Sequence, residues 1–75
     1  MRIYVKPMPM GRRTAFNVRA SDMIHNVKEL IAAHPSTRIM VNEQSLKFAG
    51  MQLEDNRTIP FYNIEHGDII KYQAM

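Results

Sequence analysis

Cysteine and tryptophan are both missing from this chain, and glycine occurs only three times in 75 residues. Without cysteine there is no disulfide framework, no thiolate metal site and no thiol nucleophile. A cysteine-free chain fits a reducing compartment, so the expected location is cytoplasmic and/or nuclear. Long hydrophobic runs are missing too, since no apolar stretch approaches the ~18 residues that a membrane span needs. Met1 leads directly into a strand pattern, without the basic and then apolar stretch of a secretory leader. Gly11, Gly50 and Gly67 stand alone, so no glycine-rich phosphate loop is present. His25 and His34 are nine positions apart, which is not the i, i+4 spacing of a helical metal pair. With His66 they read as exposed polar residues, and Met23 and Met51 as packing residues rather than ligands. No nucleophile and base stand at catalytic spacing. The chain reads as no enzyme, with no cofactor and no metal.

What is present is a 45% hydrophobic content and an excess of ten Lys and Arg over seven Asp and Glu, a net charge of +3. That length and composition allow one domain, residues 1–75, with a small core. Arg2 to Lys6 alternates, with Ile3 and Val5 on one face and Arg2, Tyr4 and Lys6 on the other, the pattern of a half-buried strand. Pro7 to Gly11 is a hairpin loop, in which Gly11 can supply a positive φ. The strand returns from Arg13 to Val18, with Phe16 and Val18 inward. Ser21 or Asp22 can cap a helix that spans roughly Met23 to Ala33. Ile24, Val27 and Ile31 form its apolar stripe, with Leu30 at the edge. The helix should stop by His34, because Pro35 disfavours helical geometry before it. Ser36 to Gln44 is a connection, with Ile39 tucked under the helix.

The stretch from Leu46 to Ile64 organises the rest. Leu46–Phe48 is a short strand, Ala49–Gly50 a tight turn, and Gln52–Leu53 a brief edge strand with Leu53 inward. Glu54–Asn56 is a second turn, with Asn56 the expected left-handed residue. Thr58 is expected to cap a short helical turn that opens at Pro60. Gly67–Asp68 leads into a last strand, Ile69 to Gln73, with Ile70 and Tyr72 inward. Each element has one apolar face, and the simplest burial lays the helix across the sheet, an α+β arrangement.

The same stretch resembles the ubiquitin family. Phe48-Ala49-Gly50, Gln52-Leu53-Glu54-Asp55, Arg57-Thr58 and Tyr62-Asn63-Ile64 match it letter for letter. So do Met1, Ile3, Val5-Lys6, Ser21-Asp22, Ile24 and Asn26-Val27-Lys28. The resemblance covers essentially the whole chain, with short insertions in the first hairpin and after the helix. It implies the β-grasp fold, a mixed sheet with one central helix, and protein partners in the ubiquitin pathway. It also makes Glu54 and Asp55 turn residues.

The departures from the family carry the functional reading. The family is conjugated through a C-terminal diglycine, and this sequence ends at Met75 without one. Its two most used linkage lysines fall on Met51 and His66. Its hydrophobic recognition patch falls on Met8, Lys47, Lys71 and Gln73. A receptor that buries an aliphatic side chain at the Lys47 position would have to desolvate an ammonium, at several kcal/mol unless that charge is paired. By strand alternation Arg2, Lys6, Arg13, Lys47 and Lys71 all point outward, with no Asp or Glu among them. The other outward positions are Tyr4, Ala15, Asn17, Ser45, Ile69 and Gln73.

Such a face can be merely solvated, or it can be a docking surface. As a docking surface it would use Arg2, Lys6, Arg13, Lys47 and Lys71 for charge, Tyr4 and Met8 as apolar anchors, and Gln73 at the rim. The leading expectation is a non-conjugated protein-interaction domain, either standing alone or forming the N-terminal domain of a larger protein. Its partner would be a protein with an acidic surface, bound by a monomer without membrane or metal. The alternatives are a nucleic-acid-binding module that stacks bases on Tyr4, and a conjugatable modifier whose Gly-Gly tail lies outside this sequence. The first prediction follows from the missing diglycine. Incubated with ubiquitin-activating enzyme and ATP, the 75-residue chain should form no thioester, and a thioester band on a non-reducing gel would refute the non-conjugated reading.

Overall fold

The computed structural model describes all residues, 1–75. Five strands and one long helix follow the chain. They are β1 (Arg2–Pro7), β2 (Thr14–Asn17), α1 (Ile24–Ala33), β3 (Gln44–Phe48), β4 (Met51–Gln52) and β5 (Ile69–Ala74), with 3₁₀ turns at Val41–Glu43 and Pro60–Tyr62. The strands form one sheet in the order β2-β1-β5-β3-β4. β1 pairs antiparallel with β2, with Ile3 opposite Phe16, and parallel with β5, with Val5 opposite Ile70. β3 pairs antiparallel with β5, with Leu46 opposite Tyr72, and with β4. The first and last strands therefore occupy the middle of the sheet.

The inward residues of each element meet in one cluster. Ile3, Val5, Leu46 and Ile70 from the sheet, Ile24, Val27 and Ile31 from α1, and Ile59 from the second long loop are fully buried. Phe16, Val18, Leu53, Tyr62, Ile64 and Tyr72 complete the core. Burying a side chain of this size contributes roughly 1.5–3 kcal/mol. Leu30 and Ile39 pack partly buried against the cluster. Phe48 shares the inward face of Leu46 by strand alternation, yet it is only half-buried, because it closes β3 beside the Ala49–Gly50 turn, at the border of the core.

The helix ends where Pro35 requires, with His34 already extended (ψ 132°). Its start departs from expectation, since neither Ser21 nor Asp22 is the cap. Asp22 instead accepts the Arg19 N–H at 3.0 Å and closes the preceding turn. Met23 holds the N-cap position, and the Asn26 side-chain oxygen reaches back to accept the Met23 N–H at 2.8 Å. Asn56 is not left-handed. The turn from Glu54 closes by a hydrogen bond from the Arg57 N–H to the Glu54 carbonyl (3.2 Å), with no positive φ at Asn56. The left-handed asparagine is Asn63 (φ 58°), which ends the second 3₁₀ turn with its N–H on the Pro60 carbonyl. Nor does the Thr58 side chain cap that turn. Ile59 occupies the cap position, and Thr58 is held in a β-bridge with Met23.

Gln44, read from sequence as the end of a connection, instead begins β3 with its side chain fully buried. Its Nε2 donates to the carbonyls of Lys28 and Ile39, each at 2.8 Å, and so ties α1 to the loop that follows it. Lys28 is also buried, 8% exposed, and its Nζ lies 2.6 Å from Asp55 Oδ1. This pair pins α1 to the turn after β4. Removing one partner of a buried pair strands the other charge and costs about 3–5 kcal/mol, less here because Asp55 is half exposed. Asp55→Ala should therefore lower the unfolding free energy by about 2–3 kcal/mol in urea titration. Lys28→Met, which removes the charge and keeps the apolar stem, should cost clearly less. Equal losses for the two variants would refute this account of the pair.

Candidate functional site

The register of the sheet fixes which outward side chains become neighbours. Lys6 of β1 lies opposite Lys71 of β5, and Lys71 lies opposite Lys47 of β3. Adjacent strands are about 4.8 Å apart, so three lysines stand in one row across the three central strands of the sheet. Lys71 is exposed, while Lys6 and Lys47 are half-buried. No carboxylate lies within ion-pair reach of any of them. The ion pairs of the protein are Lys28–Asp55 and Arg57–Glu54, and the remaining carboxylate contacts are those of the His25 ring with Glu29 (3.9 Å) and Asp55 (3.8 Å). Tyr72, next to Lys71 in sequence, is buried, and that burial raises its hydroxyl pKa above the ordinary value of 10.0. Like charges directly opposite on a sheet are destabilising, so the row is an uncompensated concentration of positive charge.

The other expected site residues surround the row unevenly. Tyr4 stands opposite Ile69, and the Arg13 guanidinium lies over the Tyr4 ring, 4.5 Å from its centroid. Arg13 is thereby held on this face, and one side of the tyrosine ring is covered. Met8 continues the line of β1 beyond Lys6 and donates its N–H to the Tyr72 carbonyl at 2.9 Å. Gln73 stands opposite Ser45 at the next outward position of β5. Arg2 is at the far end, opposite Asn17, about 13 Å along β1 from Lys6 at roughly 3.3 Å per residue. The structure therefore gathers Lys6, Lys47, Lys71 and Met8, sets Tyr4, Arg13 and Gln73 beside them, and leaves Arg2 apart. Ser45, expected to be outward and open, is buried at 6% exposure. Its short side chain does not clear the longer residues around it.

Sequence reasoning missed a cleft on this face. Met8, Lys47, Phe48, Ile69 and Lys71, with the Ala49–Gly50 turn, enclose about 280 Å³. Ile69 was legible as an outward isoleucine, but its partners come from three separate parts of the chain. A second apolar surface lies elsewhere. Phe61 is 56% exposed on the Pro60–Tyr62 turn, held by Arg57 over its ring at 4.5 Å and by an edge contact with Tyr62. No helix of the protein is long and apolar enough to cross a membrane.

One helix laid across a five-stranded mixed sheet, with the first and last strands parallel at its centre, is the β-grasp architecture of the α+β class. A sequence model described as the ubiquitin family matches residues 3–72, and the chain belongs to that family. The lysine row yields a prediction about stability. Lys71→Gln removes the central charge and should raise the unfolding free energy by roughly 0.2–1 kcal/mol at low ionic strength. The gain should shrink as added salt screens the remaining charges. A destabilised variant at low salt would show that Lys71 is compensated in solution.

Proposed function

We propose that this chain is a non-conjugated, non-catalytic docking domain whose sheet face binds an acidic segment of another protein. The observation that carries this reading is the row Lys6–Lys71–Lys47, held by strand register and without a carboxylate partner. Charges fixed on adjacent strands add their fields, whereas scattered ones do not. An acidic ligand would relieve the repulsion within the row as it binds, so part of the binding energy is stored in the free domain. Met51 and His66 at the family's main linkage positions support a docking role over chain building.

Protein is favoured over nucleic acid by the state of Tyr4. It is the only aromatic among the outward sheet positions, and Arg13 already covers one side of its ring. A surface for single-stranded nucleic acid needs open aromatic platforms as well as charge. The test is charge reversal. Lys47→Glu with Lys71→Glu should weaken binding to acidic protein segments at least tenfold, about 1.4 kcal/mol, and leave the melting temperature close to that of the parent. Binding to the parent should fall with salt, and RNA should compete poorly. Unchanged binding after the double reversal would refute the docking face. Efficient displacement by RNA, with a salt slope near −0.7 to −0.9 per phosphate contacted, would move the reading to nucleic acid.

A further inference from the structure

We infer that the chain self-associates through a separate surface centred on Phe61, whose partner is the same surface of a second copy. Phe61 is 56% exposed on the Pro60–Tyr62 turn, and Met51 of β4, which lines the same groove, is 46% exposed. Met23 adjoins that turn. It is 47% exposed, and the carbonyl of its bridge partner Thr58 accepts the Phe61 N–H at 3.1 Å. Three large apolar side chains from three separate parts of the chain thus stand open on one part of the surface, which is where interaction sites are found. None of them belongs to the lysine row, so the inference does not depend on the docking reading above.

The charges here point to a second copy as the occupant. The charged residues that line the groove or touch the Phe61 ring are Lys28 and Asp55, 2.6 Å apart, and Arg57 and Glu54, 3.4 Å apart. Two cations are matched by two carboxylates, on a chain that carries +3 as a whole. A strongly acidic or strongly basic partner meets as much repulsion as attraction on such a face. Two copies of a cationic chain, in turn, approach most easily through a face that is neutral. A two-fold rotation can set Arg57 of one copy against Glu54 of the other, and the same operation supplies the reciprocal contact. Arg57 is already fixed 4.5 Å from the Phe61 ring centroid, at the apolar centre. An aromatic side chain offers about 150–250 Å², so Phe61 at 56% exposure supplies ~100 Å². With the two methionines the patch reaches roughly 300 Å² per copy, under half of the ~800 Å² per partner of a stable complex. The dimer is therefore weak, with a dissociation constant of about 0.1 to 1 mM. The chain is monomeric when dilute and pairs when concentrated.

The experiment is sedimentation equilibrium of the full 75-residue chain from micromolar to millimolar concentration. The weight-average mass should rise from that of the 8.7 kDa monomer towards twice that value. Phe61→Ser should weaken the association at least tenfold, as loss of a central aromatic anchor does. Circular dichroism verifies its fold first, and if the spectrum departs from the parent's, Met51→Gln takes its place with the same expectation. Arg57→Glu and Glu54→Arg should each weaken self-association, because each face then meets its own sign. A mixture of those two variants should associate more tightly than either alone, since one face is then acidic and the other basic. The Lys47→Glu, Lys71→Glu double variant should still self-associate. A monomer mass at every concentration overturns the inference, as does undiminished association of Phe61→Ser. A mixture no tighter than its components overturns the self-complementary face. Loss of association in the double lysine variant places the contact on the sheet and overturns the Phe61 surface, while the docking reading keeps its own test with acidic segments.

Discussion

β1 and β5 come from opposite ends of the chain and lie parallel at the centre of the sheet, with Val5 against Ile70 and Lys6 against Lys71. Bringing them together closes a loop of most of the chain, and nothing local assists it. The entropic cost of closure grows only slowly with loop length. It is met by the fully buried side chains of Ile3, Val5 and Ile70, which pack with Ile24, Val27 and Ile31 of α1. Every other feature hangs on that pair. β2 and β3 pair with its outer edges, α1 covers its inner face, and the lysine row exists only because this register is the one formed.

Lysine plays two opposite parts in the protein. Lys28 is buried, and its charge is tolerable only because Asp55 stands 2.6 Å away while the rest of the side chain fills space against the core. Lys6, Lys71 and Lys47 lack any such partner and face solvent together. Water screens them well enough for the sheet to form, yet their mutual repulsion remains. The first lysine holds the helix in position, and the other three form an uncompensated row of positive charge on the sheet.

Arg13 and Ile69 show how the same face is given shape as well as charge. Arg13 is fixed over Tyr4 rather than extending freely into solvent. Ile69 remains open because the turn at Ala49–Gly50 curls beside it instead of continuing a strand over it. Ala49 and Gly50 both take positive φ there, 53° and 80°. Such a backbone favours glycine, and its presence at a half-open cleft ties the turn's geometry to the site.

Much of this molecule was legible in the residues themselves. Alternation in Arg2–Lys6 and Ile69–Gln73 identified inward and outward faces, the stripe Ile24–Val27–Ile31 placed the helix, and Pro35 placed its end. These are local rules, set by the two-residue period of strands and the 3.6-residue period of helices, and a linear sequence carries them directly. The caps were misjudged at Asp22, Asn56 and Thr58, where several polar residues compete for a few backbone groups and tertiary contacts choose among them. Outward lysines could be named from sequence, but not their order, because alternation fixes a face and not a register. Only the folded sheet set Lys6, Lys71 and Lys47 side by side, left Arg2 apart, buried Ser45, and opened a cleft between Met8, Phe48 and Ile69. Those are contacts between distant parts of the chain, and their geometry belongs to the packed sheet rather than to any one stretch of residues.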